Sequence, residues 1–106
     1  MELEAFAFVL LRSGPNANAF SPAELEHYQA AHLAHLEAMT KAGKLAGAGP
    51  FSDQPDESLR GLCFYRCSPD EARELAERDP SVQAGRMAVE VMTWWTRKGS
   101  VTFHRG

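Results

Sequence analysis

The chain has 106 residues, 44% of them hydrophobic and 24% charged, with a net charge of −3 at neutral pH. That length fits one hydrophobic core, so a single domain over residues 1–106 is expected. The acidic balance argues against a surface built to neutralise phosphates, and no apolar run approaches the roughly 18 residues of a membrane span.

Residues 4–12 are short, apolar and aromatic, which predicts a strand, and the turn-rich loop 13–18 follows. Ser21-Pro22-Ala23-Glu24 then opens a helix. The Ser21 hydroxyl can accept from the Glu24 N–H, Glu24 can reach back, and Pro22 suits the first helical position. Gly43 is placed to end that helix. A second strand is expected over 44–51, a polar hairpin loop over 52–58 and a third strand over 59–67. Ser68-Pro69-Asp70-Glu71 repeats the first helix start, and the second helix should run to about Arg78. Asp79-Pro80 begins a short turn closed by Gly85, followed by a fourth strand over 86–95. Arg97-Lys98-Gly99 reads as a turn into a short last strand, Val101 to His104, within a tail over 97–106.

This order, βαββαβ, predicts an α+β fold: a ferredoxin-like antiparallel sheet with two helices on one face. The strands are apolar on both sides. Ala5, Ala7, Val9 and Leu11 alternate with Phe6, Phe8 and Leu10, while Met87, Val89, Val91 and Trp95 oppose Ala88, Met92 and Trp94. Both faces should therefore be covered, one by the helices and the other by a second copy, giving a homodimer packed sheet to sheet. Cys63 and Cys67 would be about 13 Å apart along one strand. That is beyond disulfide reach. With the acidic start Met1-Glu2-Leu3-Glu4, which lacks a signal-peptide pattern, the reading is a reduced, cytoplasmic protein.

At about 100° per residue, Leu25, Tyr28, His32, Leu36 and Met39 share one helical stripe, with His35 at its margin. His32 stands where a core helix would carry leucine. A buried imidazole is either a structural group bonded to backbone or an acid/base lining a pocket. Two alternating glycines, Gly47 and Gly49, mark either close approach of a ligand beside it or a bulge in the second strand. Asp79 is the candidate partner of His32, and it is also a good N-cap for the turn after it.

Ala31-His32-Leu33-Ala34-His35-Leu36, Gly43-Lys44-Leu45 with Gly49-Pro50-Phe51, and the run from Arg78-Asp79-Pro80 to Gly85 resemble the YciI-like (YCII-related) proteins over about residues 4–96. The resemblance implies a dimeric α+β barrel with a His–Asp site in a cleft, matched here by His32 and Asp79. Relatives of that kind include a chlorohydroxyhydroquinone dehydrochlorinase, and muconolactone isomerase shares the wider barrel superfamily. Most members have no established reaction. The loop from Ser13 to Phe20 and the tail after Trp95 depart from shorter members, and both are expected at the cleft mouth.

The function this favours is a small-molecule enzyme, a lyase or isomerase. His32 would move a proton on a small cyclic or aromatic substrate, and Asp79 would hold its tautomer. Tyr28, His35, Gly49 and Phe51, with a tryptophan of the fourth strand, are the expected substrate contacts. The alternative is a dimer that binds a small ligand in the same cleft without turning it over. An RNA-binding sheet is a third reading, from Arg60-Gly61-Leu62-Cys63-Phe64-Tyr65. It is disfavoured because Leu62 and Cys67 stand where stacking aromatics belong and the charge is acidic. No nucleic-acid or membrane partner and no cofactor is expected. His32 and His35 lack a third ligand at suggestive spacing, so no metal is expected either.

Overall fold

A computed structural model describes residues 1–103. Four strands are present: β1 (Leu3–Ser13), β2 (Leu45–Pro50), β3 (Leu59–Tyr65) and β4 (Met87–Arg97). They form one antiparallel sheet in the order β2-β3-β1-β4, the ferredoxin-like arrangement. The helices are α1 (Pro22–Lys41), α2 (Pro69–Glu77) and the single turn α3 (Pro80–Gln83).

Both long helices begin as their sequences predict. Ser21 Oγ accepts from the Glu24 N–H at 3.2 Å and Glu24 Oε1 accepts from the Ser21 N–H at 2.9 Å. Ser68 Oγ accepts from the Glu71 N–H at 3.1 Å. Gly43, at φ +76°, adopts the left-handed conformation that lets the chain leave α1 for β2. β4 continues two residues beyond the expected end at Trp95.

The core lies between the sheet and the helices. Ala7, Val9, Leu11, Cys63, Tyr65 and Met87 face Ala72, Leu75 and Ala76 of α2, and Leu36 and Met39 of α1 pack at the edge. The two helices are held very differently. α2 buries three residues, whereas α1, twice as long, buries none completely. Its later turns rest on the core through Leu36 and Met39, and its earlier turns stand over a cleft.

On the other face lie Phe6, Phe8, Leu10, Leu62, Phe64, Met92 and Trp94, brought side by side by the register of β1, β3 and β4. Phe6, Phe64 and Trp94 form a close aromatic cluster, with Phe64 and Trp94 centroids 5.1 Å apart.

The tail corrects one expectation. Residues 101–103 form no strand, and His104 lies outside the described residues. The Phe103 ring instead packs on the aromatic face, 5.1 Å from Phe6 and 5.4 Å from Phe64. That contact depends on Gly47, whose absent Cβ would stand 3.1 Å from the Phe103 ring.

Candidate active site

The cleft between α1 and the sheet has a volume of about 490 Å³. Leu25, Gln29, His32, Leu33 and Leu36 line it from α1, and Leu11, Cys63 and Met87 from the sheet. Ser13, Ala17 and Asn18 supply its mouth, so the loop after β1 is where the sequence places it. The tail is not there, because its described part lies on the opposite face.

His32 Nδ1 and Asp79 Oδ2 are 2.5 Å apart, with 12% and 4% of the two side chains exposed. Asp79 is the N-cap of α3: its Oδ1 accepts from the Ser81 N–H at 2.9 Å and from the Ser81 hydroxyl at 2.7 Å. One carboxylate thus uses one oxygen to start a helical turn and the other to hold an imidazole. Burial pushes the Asp79 pKa up, but the His32 hydrogen bond, the two Ser81 bonds and the nearby His32 charge outweigh it. The net result lies below the ordinary carboxylate value. An ionised Asp79 accepts only, so His32 carries a proton on Nδ1, and the neutral tautomer this selects has its lone pair on Nε2. Among the described residues Nε2 makes no hydrogen bond, and the ring borders the cleft.

The remaining expected contacts are more scattered. Gly49 borders the cleft through its backbone. Tyr28 turns to Phe20, with centroids 5.3 Å apart, and does not line the cleft. Phe51 lies beside Phe64 and Phe103 on the aromatic face. Neither tryptophan reaches the cleft: Trp94 joins the aromatic cluster and Trp95 is 61% exposed. His35 also lies outside it, and its buried Nε2 has no hydrogen-bond partner among the described residues.

The glycine pair faces away from the cleft. β2 pairs Leu45 with Tyr65 but Gly47 with Phe64, so Ala46 is an extra residue, a bulge that reverses the alternation after it. Gly47 and Gly49 therefore share the side of Phe64 and Leu62.

The residues absent from the expected cleft contacts are Arg60, Arg86 and Gln29, all on the cleft wall. Gln29 precedes His32 by three positions, a helical spacing that was available as a signal. Cys63 also lines the cleft, but burial, with Asp79 nearby, pushes its thiol pKa up to about 12, leaving it protonated and unreactive. Among the described residues no cluster of three or more His, Cys, Asp or Glu could hold a metal. No helix among them is long and apolar enough to cross a membrane.

A YCII-related domain model matches residues 6–95. The chain belongs to the YCII-related family. No curated protein matches this YCII-related chain. Among solved structures it is similar to 5-chloro-2-hydroxyhydroquinone dehydrochlorinase from Burkholderia phenoliruptrix AC1100, in complex with 2,5-dihydroxybenzoquinone. The identity is 28%, covering 86% of this chain and 91% of that one, with a TM-score of 0.49. It is also similar to a Thermus thermophilus protein named as PII-like and signaling, at 16% identity over 93% and 96% of the two chains, with a TM-score of 0.46.

Proposed function

We propose that this YCII-related protein is a small-molecule lyase or isomerase in which His32 is the acid/base. The supporting observation is the 2.5 Å contact between His32 and Asp79 at the wall of an open cleft. The fold satisfies Nδ1 and leaves Nε2 at the cleft, where it can meet a bound molecule. His32 Nε2 takes a proton from a carbon beside a carbonyl, and the electron pair moves onto the carbonyl oxygen as an enolate. Asp79 stabilises the imidazolium that forms. Return of the proton at another carbon gives an isomerase. Expulsion of a leaving group with the electron pair gives a lyase.

We propose as well a homodimer through the aromatic sheet face that the helices leave uncovered, in a reducing cytoplasm where Cys63 and Cys67 remain free thiols.

The test is turnover of a panel of enol, lactone and hydroxyquinone substrates by the wild type and by His32→Gln, with thermal shifts measured alongside. Turnover that falls by about 10²-fold or more in the variant, with the fold intact, is the expected outcome. Ligand-induced shifts in the wild type without turnover of any substrate would instead make the protein a binding dimer. Equal turnover by the two proteins would remove His32 from the chemistry.

A further inference from the structure

The chain carries more acidic than basic residues, 14 against 11. The lining of its cleft has the opposite balance: Arg60 and Arg86 border it, while the carboxylate of Asp79 is buried behind His32 and already bonded to His32 and Ser81. Elsewhere Arg12, Lys41, Lys44, Arg73 and Lys98 each pair with a carboxylate, while Arg78 and Arg97 show no ion pair among the described residues but lie outside the cleft. Neither Arg60 nor Arg86 makes an ion pair among the described residues.

Both arginines are placed by backbone irregularities. β1 pairs Leu11 with Gly61 but Arg12 with Leu59, so Arg60 is an extra residue in β3. Without that bulge it would follow Leu62 and Phe64 onto the aromatic face. The bulge brings it to the cleft wall instead. Arg86 follows Gly85, whose φ of +80° turns the chain from α3 into β4. Its Nη1 donates to Gln29 Oε1 at 3.1 Å, which ties the guanidinium to α1 one turn before His32. A single bond to a neutral amide leaves most of that guanidinium's donors available.

We infer that the cleft takes a carboxylate: a substrate with a ring-sized apolar body whose anionic group is held by Arg60 and Arg86. The guanidinium fork matches the two oxygens of a carboxylate, and Leu11, Leu25, Leu33 and Leu36 give the body an apolar wall. A volume of about 490 Å³ suits one ring with short substituents. The two positive charges would also stabilise the negative charge that develops when His32 removes a proton. This inference rests on the cleft being the substrate site and adds the charge its substrate carries.

The test compares benzoate with benzyl alcohol, which keeps the ring and removes the charge, in titrations followed by backbone amide NMR. Benzoate should bind saturably at the amides of Gly49, Gly61 and Cys63, more tightly than benzyl alcohol and more weakly as salt rises. Arg60→Gln and Arg86→Gln should each weaken benzoate by about tenfold and leave benzyl alcohol unchanged. Arg60 is exposed, so Arg60→Gln tests the point without disturbing the fold. Benzoate binding is read without any turnover, which separates this result from that of the turnover assay. Benzoate binding no tighter than benzyl alcohol, or equal benzoate affinity in the wild type and both arginine variants, overturns the carboxylate assignment.

Discussion

Asp79 carries two tasks on its two oxygens, and its substitution separates them. In Asp79→Asn the side-chain oxygen can still accept from the Ser81 N–H, so the α3 turn survives. The amide nitrogen would then face His32 and donate to Nδ1, which moves the ring proton to Nε2 and removes the proposed base. Turnover should fall by about 10²–10⁴-fold while the fold remains. Stability gives an independent readout with a definite sign. The carboxyl is held below its ordinary value, so its contribution is complete above an unfolded pKa of about 3.9 and is lost as pH falls through the folded pKa. Urea unfolding should show the variant about 1–3 kcal/mol less stable at neutral pH, with the gap closing in acid. A gap that stays constant with pH would show that the Asp79 charge does not stabilise the fold. His32 and Asp79 were legible in the sequence, because a helical stripe interrupted by a histidine and an Asp-Pro cap are both local patterns. Arg60 was not. Its direction is set by a bulge, and a bulge is a property of pairing between distant strands.

At the scale of elements, local chemistry predicts where each helix starts and stops, but not how firmly it is held. Ser21 with Glu24, Ser68 with Glu71, and Gly43 form the caps their residue types allow. The facing of β2 was not legible, since one extra residue at Ala46 moves both glycines to the other side of the sheet. Nor was the loose seating of α1. Apart from His32 its stripe is apolar along its length, yet its earlier turns meet a cleft and are fastened there by His32–Asp79 and Gln29–Arg86. The early part of α1 should therefore open more readily than α2, whose Ala72, Leu75 and Ala76 are buried. Hydrogen exchange should find the amides of residues 25–29 less protected than those of 72–76. Ser21→Ala should cost about 1 kcal/mol and speed exchange in α1 while leaving α2 unchanged. Equal acceleration in both helices would mean that they open as one unit.

For the whole molecule, what matters is the sheet face that the helices leave uncovered. The alternation of apolar residues on both sides of β1 and β4 showed in the sequence that this face exists, and the register confirms it as one continuous aromatic surface. The Phe103 packing was not foreseen, because it depends on a long-range fit between a tail ring and the space over Gly47. Phe103 covers the part beside Phe6 and Phe64, while Phe8 and the 43%-exposed Met92 stand beyond the rings it contacts. Phe8→Glu tests the proposed dimer at that point. In a monomer the new carboxylate meets water and costs little. In a sheet-to-sheet dimer it would be desolvated opposite aromatic rings, at a cost of several kcal/mol that weakens association by orders of magnitude. Analytical ultracentrifugation should therefore find the wild type as a dimer at micromolar concentration and Phe8→Glu as a monomer with an unchanged far-ultraviolet circular dichroism spectrum. A wild type that sediments as a monomer throughout that range would leave the aromatic face to some other cover. A Phe8→Glu protein that remains dimeric would place the contact elsewhere on the surface.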